Sequence, residues 1–294
     1  MSLQYQLNSS GLPVPDLSVL IPTWNNLRFL QCCVDSILKH SVHRIQIIVI
    51  INEGVDGTKE WVASQPNLDY VLSSENLGIC YGLNAARQLV RAELIAYAND
   101  DMVMLPGWDR QMLNAIRSIG HSRFMVSSTM IEPVDSANPC VRVADFGADP
   151  DHLDEAALIQ SLEGLRKKDW CGSTWPPNVV HRDTWDLVGG MSIEFSPGMY
   201  SDPDLSMKLY KAGVRHFQGV GSSLVYHFGR RSTGRVRKNR GRHTFLNKWG
   251  ITSRIFMQHI LHIGQDFHIL PAEQPLDMWT RILCKLKRIR SAMR

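Results

Sequence analysis

The chain has 294 residues and a mass of 33.3 kDa, more than an average domain and suited to one large α/β unit or a core with an appendage. Hydrophobic residues at 44% and charged residues at 20% exclude a disordered, collagen-like or coiled-coil chain. Net charge is only +4, but residues 230–254 hold nine Lys or Arg and residues 281–294 six more, neither stretch with an acid, which leaves 17 bases against 28 acids elsewhere. Anionic partners are therefore expected near the C-terminal end.

In chain order, Leu17–Ile21, Ile45–Ile51, Tyr70–Ser73, Leu94–Ala98 and Phe124–Ser128 read as strands, several apolar on both faces as a covered parallel sheet requires. Leu27, Leu30, Val34, Ile37 and Leu38 keep helical spacing, as do Ile79, Leu83, Ala86 and Val90. Asp56-Gly57-Thr58 and Pro106-Gly107 mark helix entries. This alternation predicts an α/β fold with an open, mostly parallel, Rossmann-like sheet and right-handed crossovers, with ligands beyond the carboxyl ends of the strands. From 131 to 152 the prolines Pro133, Pro139 and Pro150 break periodicity, predicting a long connection. Helices are expected at 153–167, 182–188 and 203–212, strands at 214–218 and 222–226, and helices again at 243–262 and 277–292. Three regions follow: 1–130, 131–242, and a helical basic extension, 243–294.

Apolar runs such as Ile47–Ile51 stop far short of the roughly 20 residues that span a bilayer, and the polar opening Met1–Gly11 lacks a secretory core, so a cytoplasmic protein is expected. The six cysteines have neither CxxC pairs nor zinc spacing and read as free thiols.

The residues that carry chemistry cluster at element ends. Asn99-Asp100-Asp101 follows the strand Leu94–Ala98. Carboxylates there suit a hard divalent cation that also bridges phosphate oxygens, or simply cap the next helix. His227 ends an apolar strand, from which an imidazole can complete a metal site or serve structure alone. Pro203 favours a first helical turn, placing Asp202 at the N-cap with a depressed pKa and Asp204 inside the turn. Trp170 and Trp175 offer faces for a sugar ring or for the core, whereas Trp185, beside Leu187 and Val188, reads as core. Arg230, Arg231 and Arg235 suit a diphosphate or a solvated basic face. Ile282, Leu283, Leu286 and Ile289 share one side of a helix rich in cations, the composition of an interfacial helix drawn to anionic lipid or of a helix packed on the body.

Seven segments in register, LSVLIPTWNN, INEGVDGT, SSENLGICYGLNAAR, LIAYANDDMVMLPGW, VVHRDTWDLVGG, YSDPDLSMKLYKAG and SSLVYHFG, resemble the family 2 glycosyltransferases of GT-A fold over residues 17–234, about three quarters of the chain. The resemblance implies a nucleotide-sugar donor half at 1–130 and an acceptor and catalytic half at 131–242. It places Pro22, Thr23 and Trp24 on the loop holding base and ribose, Asn52 and Glu53 at the pyrimidine edge, and Asn76, Gly78 and Asn84 around the nucleotide. Asn99 and Asp100 fall in the donor-binding DxD-type element, with Asp101 and His227 as ligands to Mn(II) or Mg(II). It implies Asp202 as the catalytic base. Trp170, Trp175, Asp204, Arg230 and Arg231 are then candidates for the acceptor. Two departures stand out: Asn52 occupies the usual Asp position, and Ser201 replaces the Glu before the base, removing a charge that would raise its pKa.

The activity so implied is metal-dependent, inverting transfer from a UDP-sugar, or secondarily a dTDP-sugar, to a hydroxyl of a glycan or lipid-linked acceptor in polysaccharide biosynthesis. The enzyme would be cytoplasmic or peripheral on the cytoplasmic face of an anionic membrane through 277–294. A nucleotidyltransferase or a non-catalytic GT-A-like binding protein remains an alternative. No GxGxxG follows the first strand, which argues against a dehydrogenase, and no nucleic-acid recognition motif is present.

Overall fold

The computed structural model describes residues 2–229, 239–272 and 274–292, the side chains of 291 and 292 excepted. In the first part of the chain, β1 (Leu3–Gln6), β2 (Leu17–Trp24), α1 (Leu27–His40), β3 (Ile45–Asn52), α2 (Thr58–Ser64), β4 (Leu68–Ser73), α3 (Gly78–Ala86) and β5 (Leu94–Tyr97) follow one another. Next come β6 (Met102–Met104), α4 (Trp108–Ile119), β7 (Phe124–Glu132), β8 (Arg142–Val143), α5 (Glu155–Gln160), α6 (Leu162–Leu165) and β9 (Trp170–Cys171). The remainder holds β10 (Asn178–His181), α7 (Arg182–Val188), α8 (Ser201–Lys211), β11 (His216–His227), α9 (Gly241–Trp249), α10 (Ser253–Ile255) with a π-turn to Ile260, and α11 (Met278–Ala292).

The strands form one 11-stranded sheet, with β1-β4-β3-β2-β5-β10-β7-β11-β6 in spatial order and β8 and β9 pairing with β7 and β11. β4, β3, β2 and β5 are parallel, as are β7 and β11; β10 runs antiparallel between β5 and β7, and β6 antiparallel on β11. The chain steps outward from β2 to β3 and β4, then returns to place β5 on β2's other side. That reversal is a topological switch point, where the flanking connections diverge and leave a crevice at the carboxyl ends.

Alternate residues of the central strands feed two cores. Val19, Ile21, Val49 and Ile51 pack with α1 and α4 through Leu30, Ile37, Trp108 and Met112. Leu20, Ile48 and Ile50 pack on the opposite face with Leu83 of α3, Trp185 of α7 and Leu205 of α8. Both faces are covered, as the uninterrupted apolar strands require. Residues in and after α9 close the second core with Phe245, Phe256, Ile260 and Leu261. All six cysteines are free thiols.

Several sequence expectations need correction here. The two strands read at 214–218 and 222–226 are a single strand, β11, with a register shift between Val220 and Leu224. Gly219 does not end it; the indole of Trp170 occupies the space a Cβ would need. The helix read over 243–262 breaks at Gly250, whose φ of +74° closes α9. The proposed boundary at residue 130 falls inside β7.

Candidate active site

Beyond the carboxyl ends of β2, β3, β5, β7 and β11 lies a cleft of about 770 Å³. Its walls include Pro22, Thr23, Trp24, Asn52, Asn76, Gly78, Asn99, Asp100, Asp101, Trp175, Asp202 and His227, so seven separate stretches of the chain converge on one space only because the sheet gathers their ends.

The acidic wall follows from register. β5 ends at Tyr97, and a turn through Asp100 and Asp101 sends the chain back as β6. In the antiparallel pairing of β6 with β11, His227 sits opposite Met102, and the amide of Phe228 donates to the Asp101 carbonyl at 3.1 Å. The imidazole is thereby delivered beside Asp101: Nε2 lies 3.3 Å from Oδ1. Its other nitrogen, Nδ1, is 2.8 Å from Oε1 of Glu132, the residue ending β7. Burial works against charge on this ring, but Asp101 and then Glu132 outweigh it and lift the His227 pKa to about 10.

Asp202 has a different environment. The chain enters α8 through Tyr200, held at φ +70°, and Ser201 anchors the entry with Oγ donating to the Gly198 carbonyl at 2.6 Å. Tyr200 is thus the N-cap, and Asp202, expected there, is the second residue of the helix. Its carboxylate makes no capping hydrogen bond and has no hydrogen-bond partner among the described residues. The expected depression of its pKa is reversed: desolvation in the cleft pushes it up to about 7. The missing neighbouring Glu is not needed, because burial alone supplies the shift. Tyr97 is fully enclosed nearby, its phenol raised by burial and then by the charge of Asp202, and its hydroxyl donates to Asn99 Oδ1 at 3.0 Å.

Elsewhere on the cleft wall, the Thr23 hydroxyl is buried without a hydrogen-bond partner among the described residues, an open position for a ligand's polar edge. Glu53 does not line the cleft. It accepts from Trp24 Nε1 at 2.9 Å and Asn25 Nδ2 at 3.1 Å, fixing the indole at the rim. Asn52 lines it, yet both ends of its amide are engaged, Nδ2 with the Thr23 carbonyl and Oδ1 with the Leu77 amide, so it ties two wall loops together. Asn76 accepts from the Gly78 amide at 2.9 Å.

At Gly78, φ is +71° and a Cβ would stand 2.6 Å from Pro197 Cα. Gly78→Ala is therefore expected to cost on the order of 3 kcal/mol and to push back the 197–200 wall. Urea unfolding checks the stability and calorimetry with a nucleoside diphosphate checks the wall.

Other expected residues lie away from the cleft or outside the described residues. Asn84 lies outside the cleft and clasps the backbone of Met191 with two bonds of 2.8 Å, so it shapes a loop. Trp170 is buried, its Nε1 donating to Thr129 Oγ1 at 2.8 Å, and does not line the cleft. Asp204 is buried and bonded to Trp249 Nε1 at 2.7 Å and to Lys248, pinning α8 to α9. Arg230 and Arg231 lie outside the described residues, as does Arg235. Trp185 is core, as read.

Sequence reasoning missed Tyr97, Glu132 and the 133–138 stretch of the wall. Tyr97 had a signal, standing at the carboxyl end of its strand two residues before Asn99. So did Glu132, a lone carboxylate ending an otherwise uncharged strand.

The donor set fits a divalent cation. A carboxylate oxygen of Asp101 and an imidazole nitrogen whose partner nitrogen is held by Glu132 make a hard-to-borderline pair with outer support, suited to Mn(II) or Mg(II). Among the described residues no group of three His, Cys, Asp or Glu side chains is arranged to hold a metal by itself. Such an ion would take its remaining ligands from elsewhere, as Mg(II) does from substrate phosphates.

An α/β sheet with an acidic cleft at its switch point is the architecture of the GT-A nucleotide-sugar enzymes, and the comparisons agree. Residues 18–139 match glycosyl transferase family 2. Uncharacterized protein y4gI of Sinorhizobium fredii is 26% identical over 226 residues, 72% of this chain and 24% of that protein. S. aureus TarS 1–349 in complex with UDP-GlcNAc superposes with a TM-score of 0.58 at 11% identity, covering 95% of this chain and 72% of that one. Mannosyltransferase PcManGT from Pyrobaculum calidifontis, in complex with GDP-Man and Mn2+, gives 0.51 at 16% identity, over 96% and 74%. The chain spans 24% to 30% of the length of the curated relatives it matches. The chain is thus similar to glycosyl transferase family 2 over residues 18–139, and the whole has the mixed α/β GT-A fold of those solved structures.

Proposed function

We propose that the protein is a metal-dependent, inverting glycosyltransferase that moves a sugar from a nucleoside-diphosphate donor, a UDP-sugar before a dTDP-sugar, to a hydroxyl of a glycan or lipid-linked acceptor. The observation that carries this reading is one cleft containing both the Asp101–His227 pair and Asp202, a carboxyl tuned to about 7. A general base is most effective when its pKa lies near the working pH.

In this reading Thr23 and Trp24 hold the nucleoside, and Asn76, Asn99 and Asp100 line the path of the diphosphate. Asp101 and His227 would hold Mn(II) or Mg(II), whose chemistry is to neutralise charge building on the departing diphosphate. Asp202 takes the proton from the acceptor hydroxyl as that oxygen bonds to the anomeric carbon. The bond from that carbon to the diphosphate oxygen breaks in the same displacement, the nucleoside diphosphate leaves with the electron pair, and configuration inverts. Trp175, on the cleft wall, offers an apolar face to the acceptor ring.

The test is a thermal-shift panel of UDP, dTDP and GDP with and without Mn(II). One diphosphate should raise the melting temperature, and more so with Mn(II), since about 2.7 kcal/mol of stabilisation accompanies a hundredfold excess over Kd. No shift with any of them would overturn the reading.

A further inference from the structure

We propose that α11 is a membrane-docking helix that lies on an anionic lipid surface. It begins cleanly: Asp277 caps it, Oδ1 accepting from the Thr280 amide at 2.9 Å and its carbonyl from the Arg281 amide at 3.1 Å. It is attached on one side only, where it packs on α9 with Cys284 buried. Its opposite side carries Trp279, Ile282, Leu283 and Leu286 at helical spacing, joined at the edge by Met278 and Ile289, all between 40% and 71% exposed. This is an apolar stripe of about three turns with nothing over it among the described residues.

Charge decides what covers it. Lys285 and Lys287 border the stripe on its two sides, with Arg281, Arg288 and Arg290 on the same helix, all exposed, and no acid lies between 278 and 292. A second copy of the chain would bring like charge against like charge, with no carboxylate on the helix to pair with it. Nucleic acid would meet the cations but leave the apolar stripe in water. An anionic bilayer satisfies both features: the stripe enters the headgroup boundary while the flanking ammonium groups remain among the lipid phosphates. At 15 residues and five cations the helix lies along the surface; no helix among the described residues is long and apolar enough to cross. This inference is independent of glycosyl transfer.

The experiment is co-sedimentation of the full chain with vesicles of phosphatidylcholine alone and of phosphatidylcholine with phosphatidylglycerol. Binding to the anionic vesicles should be tenfold or more the stronger, and should fall as KCl is raised. Leu283→Asp with Leu286→Asp, and separately Lys285→Glu with Lys287→Glu, should each remove it, while the melting temperature and nucleotide-induced shift stay unchanged because these side chains face outward. Equal binding by wild type and both variants, or none by wild type, would overturn the proposal. So would a dimer in light scattering that the double-Asp variant dissociates, or release of the bound chain by RNA competition in place of vesicles.

Discussion

Asp202→Asn is expected to lower turnover about 10²- to 10⁴-fold while leaving nucleoside-diphosphate affinity nearly intact, because in the proposed mechanism Asp202 acts on the acceptor proton and not on the donor. The same substitution should stabilise the fold. The native carboxyl titrates near 7, well above its ordinary value of 3.8, so the native state keeps a proton that the unfolded chain releases at lower pH. Stability is consequently lost as pH rises from about 4 to 7 and is flat above. An amide carries no such penalty, so the Asn variant should exceed wild type above pH 7 by up to about 4 kcal/mol, each tenfold being about 1.4 kcal/mol. Inactivity together with a higher melting temperature at pH 8, converging toward wild type near pH 4, separates a removed base from a damaged fold. The pH profile gives a second check: wild-type kcat/KM should fall tenfold per pH unit below about 7, as the base takes up its proton. Unchanged turnover in Asp202→Asn would remove this residue as the base.

That a sequence led to this carboxylate, and misjudged its environment, shows where local information ends. The covered strands β2, β3 and β5 were legible because burial on both faces leaves unbroken apolar runs, and α7 was legible to the residue from its periodicity. β6 and β10 were not. Each is three or four residues long and exists only through antiparallel partners far away in the chain, so nothing local distinguishes it from a loop. Yet β6 is what brings His227 to Asp101. Asp202 was misplaced by two positions because Pro203 is compatible with either register within the first turn, and only the left-handed turn at Tyr200 selects between them. Its pKa follows from the cleft walls, a property of tertiary enclosure. Asn84 and Asp204 lie in two of the resembling segments and Trp170 between two others, but each spends its polar atoms on holding loops and helices in place.

The second large effect concerns the acidic wall. Asp101→Ala should abolish the gain in nucleotide affinity that Mn(II) confers, a loss of about 10²-fold or more, leaving weak, metal-independent binding through Thr23 and Trp24. Because Asp101 is buried against His227, deleting it leaves an imidazolium with one carboxylate fewer, so some stability should be lost as well. Asp101→Asn preserves the volume and serves as the control for that damage. Glu132 offers a graded test. It holds Nδ1 of His227 at 2.8 Å, and where His227 binds the proposed cation a partner of that kind typically contributes 10- to 100-fold to metal affinity. Titrating Mn(II) by electron paramagnetic resonance, without nucleotide, should therefore rank wild type above Glu132→Gln and Glu132→Gln above Asp101→Asn. Equal Mn(II) affinity in all three proteins would place the cation elsewhere in the cleft, and calorimetry showing the same nucleotide affinity with and without Mn(II) in wild type would remove it from the reaction.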